Sequence, residues 1–189
     1  DRSDPRTPDG EVSESAIPYT GPIVIDRNLQ LRTRARVQDD LWSEVITVTF
    51  VTDRVPIAIT EVMYNPVPPE DALLRAVQFE WFEMQNIGDE PVDISFLRFE
   101  RSLTFDFTQA EDPILAPGDV TVLVQNREAF EFQYDTTNIR IAGEFDGLLG
   151  NGSQLVRMIG PFGEEATNLT YQGSWYPEAR NDGHTIELI

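Results

Sequence analysis

The sequence predicts an all-β protein folded as an antiparallel sandwich, and three observations predict it. Apolar and polar residues alternate with period two in short runs. Gly, Pro, Asn and Asp close those runs roughly every ten residues, the rhythm of short strands joined by turns. Helical periodicity is nearly absent. With 40% apolar and 10% aromatic residues, the chain has enough apolar surface to offset the entropy of ordering it. A length of 189 residues fits one large β domain, or one medium domain and a piece of another.

From the N-terminus, the first predicted strand runs from Leu29 to Val37. Its residues Leu29, Leu31, Thr33, Ala35 and Val37 form an apolar face, and Gln30, Arg32, Arg34 and Arg36 form a solvated one. A turn at Gln38-Asp39-Asp40 leads to a β-branched strand, Val45 to Val51. The pattern breaks at Thr52-Asp53-Arg54-Val55-Pro56, which marks the boundary between a unit at 1–54 and a second at 55–189. Strands then resume at Ile57 to Met63, Phe79 to Asn86, Val92 to Glu100, Leu103 to Phe107, Asp119 to Gln125, Ile139 to Ala142, Gln154 to Ile159, Asn168 to Tyr171 and Thr185 to Ile189. Turn residues separate them, as at Asn86-Ile87-Gly88-Asp89 and Gly160-Pro161-Phe162-Gly163. One short helix is predicted, Arg127 to Tyr134, capped by Asn126, with Phe130 and Tyr134 on one face and two turns lying over one end of the sandwich. Glu70 to Ala76 is a second segment, open to either a helix or a loop.

Composition excludes several classes of function. The chain has 33 acidic and 14 basic residues, a net charge of -19, and every basic residue is Arg. That field repels phosphate backbones, so nucleic acid is not an expected partner. No apolar run approaches the length of a membrane span, so no bilayer insertion is expected. Cys is absent, which removes disulfides, thiolate metal sites and thiol nucleophiles. Asp1-Arg2-Ser3-Asp4-Pro5 has neither the basic nor the apolar region of a signal peptide, so any export signal is expected upstream.

Seven segments in order give the second unit a resemblance to the bacterial lamin-tail domain. They are Ile59-Thr60-Glu61-Val62-Met63-Tyr64-Asn65-Pro66, Phe79-Glu80-Trp81-Phe82-Glu83-Met84-Gln85-Asn86, Gly88 to Ser95, Leu115-Ala116-Pro117-Gly118, Gly147 to Val156, Trp175-Tyr176-Pro177 and Asp182 to Leu188. Met84-Gln85 and His184 depart from the usual residues but keep the core parity. The resemblance implies an immunoglobulin-like sandwich that serves as an interaction module of exported proteins and not as an enzyme. The first unit, through Ser3-Asp4-Pro5-Arg6, Tyr19 to Ile23, Leu31 to Arg36 and Trp42-Ser43, resembles the later part of a chitobiase or hexosaminidase C-terminal-type β-sandwich without its opening strands. This pairing resembles the end of a large secreted protein with a spore-coat-H-type kinase domain.

Individual residues offer little chemistry. With one His and no Lys or Cys, most nucleophilic and metal-hydrolase arrangements cannot be assembled. His184 sits in an Asp182-Gly183-His184 turn and is expected to be exposed rather than part of a triad. Glu80 and Glu83 have the odd spacing that sends two strand residues to opposite faces, so they cannot share one glycosidic bond. A hydrolase would instead need two carboxylates on one cleft wall. No cofactor is expected. Calcium is the best-suited metal, through Asp89-Glu90, Asp93, Asp135 and Glu144 to Asp146, but no loop has EF-hand spacing and no ligand is assigned. Trp42, Trp81 and Trp175 are candidate sugar platforms, with Trp175-Tyr176 the best placed, against a packing role. Asn151-Gly152-Ser153 and Asn168-Leu169-Thr170 have the form of glycosylation sequons but are read as turn and strand residues. The expected function is a non-catalytic interaction or spacer module of a larger exported bacterial protein, extracellular or in the cell envelope, that contacts a protein partner. The alternative is a carbohydrate-binding accessory module with a glycan as partner.

Overall fold

The computed structural model describes residues 3–38 and 41–188, and these form an all-β sandwich with two short helices. Contacts divide the chain into two compact units. The first runs to Arg54 and takes in Phe162–Glu164, and the second begins at Val55.

In the first unit, β1 (Leu29–Thr33), β2 (Arg36–Gln38), β3 (Leu41–Trp42) and β4 (Ile46–Phe50) make two antiparallel pairs, β1 with β4 and β2 with β3. The predicted continuous strand from Leu29 to Val37 is therefore broken at Arg34-Ala35. Side chains explain the break. The Arg34 guanidinium holds both oxygens of Asp4 at 2.8 Å and the Ser43 carbonyl at 2.6 Å, and the Ala35 amide donates to Ser43 Oγ at 2.9 Å. This two-pronged pair fixes the chain where a strand would have gone on. It holds the Asp4 carboxyl far below the usual carboxylate range. The expected solvated arginine face is corrected at Arg34, which is part-buried, whereas Arg36 is exposed, with its guanidinium over the Trp42 ring at 5.4 Å. Of the predicted turn at Gln38-Asp39-Asp40, Asp39 and Asp40 lie outside the described residues, as does Ile189 at the last predicted strand's end.

The second unit contains β5 (Ile57–Met63), β6 (Trp81–Asn86), β7 (Val92–Asp93), β8 (Arg98–Phe99), β9 (Leu103–Asp106), β10 (Ile114–Leu115), β11 (Val120–Val124), α1 (Arg127–Gln133), β12 (Ile141–Glu144), β13 (Asp146–Gly147), β14 (Ser153–Ile159), β15 (Glu165–Gln172), α2 (Pro177–Asn181) and β16 (Ile186–Glu187). Two five-stranded sheets face each other, ordered β12-β11-β6-β5-β16 and β13-β9-β8-β14-β15, with β7 and β10 as a separate pair. Their inward residues make one core: Ile59, Val62, Phe82, Met84 and Leu123 from the first sheet, and Phe99, Phe105, Val156, Met158 and Tyr171 from the second. The Phe82 ring meets Phe99 edge to face at 5.0 Å, which ties the sheets together across the middle.

Three segments differ from the expected elements or decide between the expected alternatives. Val92 to Glu100 is not one strand, because the Asp93 carboxylate accepts the Ser95 amide at 2.9 Å and turns the chain, burying Ile94 and Leu97. Glu70 to Ala76 is a loop that ends in a single tight turn, Ala76–Phe79, so β6 begins at Trp81. The α2 turn, opened by Pro177 and anchored by buried Ala179, lies between the last two predicted strands, where no element was predicted.

The helix α1 forms where predicted, with the Asn126 side chain accepting the Ala129 amide at 2.9 Å. Its position differs from the expected end of the sandwich. Strands β11 and β12 are parallel neighbours, and parallel neighbours need a crossover that runs over a sheet face. Thus α1 covers the outer face of the first sheet, where Met63, Trp81, Val122, Val124, Phe130 and Ile141 form a second apolar cluster. Coverage on both sides also explains why β11 reads Val-Thr-Val-Leu-Val without strict alternation.

Candidate functional site

Strand β5 carries an irregularity that shapes this outer face. Its inward residues are Ile57 and Ile59, then Val62 and Tyr64, so the buried parity changes from odd to even within one strand. The register against β6 slips between Ile59 and Glu61, and the extra residue, Thr60, forms a bulge. Both Thr60 and Glu61 lie between the buried positions Ile59 and Val62 as a result. Across the first sheet, Val122, Glu83, Glu61 and Glu187 become successive cross-strand partners. Three glutamates thus stand side by side on adjacent strands.

Beside this row lies a groove of about 770 Å³. The Trp81, Phe130, Tyr134 and Ile139 side chains form its apolar wall, and Glu61 and Glu83 its acidic one. Trp81 meets Phe130 and Tyr134 edge-on, each at 5.8 Å, and its indole N–H donates to the Tyr134 hydroxyl at 3.3 Å. Gly183, His184 and Thr185 line the groove from the loop before β16, and Asp119 and Arg140 line it from the opposite side.

The electrostatics are unbalanced. Glu83 accepts a hydrogen bond from the Thr60 hydroxyl at 2.7 Å. Burial, with Glu83 and Glu187 alongside, pushes the Glu61 carboxyl above its ordinary range against a hydrogen bond from Thr185. Arg140 is already engaged by Asp112 at 3.2 Å and Asp119 at 3.4 Å. Among the described residues, neither Glu61 nor Glu83 has an ion-pair partner. Like charges directly opposite on neighbouring strands destabilise a sheet.

The structure sorts the sequence candidates. Glu80 and Glu83 do face opposite ways: Glu83 lines the groove, whereas Glu80 is 2% exposed inside the sandwich. There Glu80 accepts the Leu149 amide at 2.6 Å, and burial raises its carboxyl to about 7. The pair that does share a wall is Glu61 and Glu83, which sequence reasoning missed because a bulge and a register bring them together. His184 is exposed, as expected of its turn. Trp81 is corrected as a sugar platform, since only 7% of it is exposed and its neighbours cover it. Trp42 is half-buried beneath Arg36 and donates to the Gly10 carbonyl at 2.9 Å. Trp175 and Tyr176 remain exposed, at 45% and 53%.

Three of the carboxylates considered for calcium, Asp93, Asp135 and Glu144, serve local structure. Asp135 accepts from Thr137, Glu144 accepts the Arg127 amide at 2.6 Å, and Asp93 turns the chain as above. Among the described residues no group of three or more His, Asp or Glu is placed to hold a metal ion. Asn151 donates to Asn65 at 3.0 Å in an exposed loop, and Asn168 lies within β15. Compared with family models, curated proteins and solved structures, the chain matches none.

Proposed function

We propose that the chain is a non-catalytic interaction module of a larger exported bacterial protein, with a lamin-tail-like second unit that docks a protein partner. The observation that carries this reading is the groove on the first sheet, where half-buried carboxylates without an ion-pair partner adjoin a rigid aromatic wall. Sequences tend to keep such a like-charged pair, which costs stability, where a ligand supplies the missing charge. The resemblance of the second unit's sequence segments to the lamin-tail domain is what supports an exported parent, in the extracellular space or cell envelope.

Selection of peptides from an unbiased display library on the intact chain tests this reading. Recovery of binders that compete with one another and are lost on Trp81→Ala or Ile139→Asp supports it. Specific retention on a glycan array that disappears with Trp175→Ala would favour the carbohydrate-binding alternative, which the exposed Trp175-Tyr176 pair keeps open. Turnover of a glycoside that vanishes in both Glu61→Gln and Glu83→Gln would replace both readings with a catalytic one.

A further inference from the structure

The interaction reading leaves the chemistry of the partner open, and the groove narrows it. We propose that the groove receives a basic side chain, Arg or Lys, from a protein segment, with its charged head between Glu61 and Glu83 and its aliphatic stem along Trp81, Tyr134 and Ile139. This inference rests on the interaction reading and adds the partner's chemistry to it.

Three features converge on that occupant. The first is charge complementarity. Glu61 and Glu83 are cross-strand partners, and Glu187 follows Glu61 on the next strand. The nearby Arg140 is held by two aspartates, so the groove has a negative charge without an ion-pair partner that an incoming cation would balance. The second is shape. A long amphipathic side chain with an apolar stem and a cationic tip matches an apolar wall that ends in carboxylates. The aromatic wall adds cation–π attraction through Tyr134, which is only partly buried, because an Arg or Lys head near that ring is drawn to its face. The third is the bulge. Without the extra residue at Thr60, a regular period-two strand would turn either Glu61 or the apolar pair Ile57 and Ile59 away from its present face. The bulge keeps Ile59 and Val62 in the core while presenting Glu61 beside Glu83, and the Thr60 hydroxyl fixes Glu83 at 2.7 Å. A local departure from regular geometry therefore serves to set two carboxylates side by side.

The same geometry predicts opposite effects on stability and binding. In the free protein, Glu61→Gln or Glu83→Gln removes like-charge repulsion and raises the melting temperature. In the complex, it removes the counter-charge for the ligand. A residue with a purely structural role would not show that opposition.

The probes are Nα-acetyl-arginine amide, Nα-acetyl-lysine amide and the uncharged Nα-acetyl-norleucine amide, titrated into the intact chain while Trp81 fluorescence is followed in a Trp42→Phe/Trp175→Phe background. The expected result is saturable binding of the two cationic probes, about tenfold or more tighter than norleucine. That preference falls with each Glu→Gln variant and weakens as salt rises from about 0.05 to 0.5 M. Equal binding of all three probes, no saturable response to either cation, or an unchanged preference in the Glu61→Gln/Glu83→Gln variant would overturn the inference. Display-selected peptides that occupy the groove without a basic residue would also overturn it while leaving the interaction reading intact. Failure of that reading would show separately, as an absence of any groove-binding peptide.

Discussion

Replacing Glu80 with Gln should make the protein more stable at pH 8 and flatten part of its pH dependence. Glu80 is 2% exposed, and burial raises its carboxyl from an ordinary 4.5 to about 7. The folded state therefore holds a proton that the unfolded chain releases. Stability from this group is fully present below pH 4.5, declines as pH rises through the interval from 4.5 to about 7, and is gone above it. A shift from 4.5 to about 7 is 2.5 pH units, which at 1.36 kcal/mol per unit amounts to about 3 kcal/mol lost between acid and alkaline conditions. Gln at position 80 retains an oxygen for the Leu149 amide and never ionises. Urea unfolding of the wild type and Glu80→Gln at pH 5, 6, 7 and 8 isolates the effect, because offsets from the amide's extra N–H cancel in the pH dependence of the difference. The stability difference should move toward the variant by about 2–3 kcal/mol from pH 5 to pH 8. Parallel pH profiles would refute the reasoning and show that Glu80 finds enough solvation to ionise normally.

Other predictions follow from single contacts. Asn126→Ala removes the α1 cap and should cost about 1 kcal/mol in chemical denaturation. Gly147 has φ of +106°, and a Cβ there would run into the Ser102 carbonyl, so Gly147→Ala should destabilise by more than about 1 kcal/mol and lower the melting temperature. Trp175→Ala, at an exposed position, should change stability by less than about 1 kcal/mol; a larger loss would mean that its ring packs in solution.

Much of this architecture is legible in the sequence because burial on one face imposes period two. Ile57 to Met63 and Gln154 to Ile159 read as strands and are strands. The Asn126 cap with the Phe130 and Tyr134 spacing gives α1, whose rings meet at 4.8 Å. The position of α1 was not legible, since it depends on β11 and β12 being parallel, and pairing between distant segments leaves no local mark. The same holds for the groove. Parity correctly separates Glu80 from Glu83, but Glu61 and Glu83 meet only through the register of β5 against β6. One signal was available: the buried positions Ile57, Ile59, Val62 and Tyr64 change parity midway, which marks a bulge and a Glu turned outward beside it. Short β7 and β8 and the five-residue α2 fall below the length at which periodicity can be read.

The measurement that tests the central claim most directly uses the indole N–H signals of the three tryptophans in the ¹⁵N-labelled intact chain. Each reports a different place: Trp42 its bond to Gly10, Trp81 the groove wall and Trp175 the exposed loop. Adding a display-selected basic peptide should move the Trp81 signal saturably and leave those of Trp42 and Trp175 in place. Movement of Trp175 with Trp81 unchanged would contradict the account and put the binding surface at the exposed Trp175-Tyr176 loop.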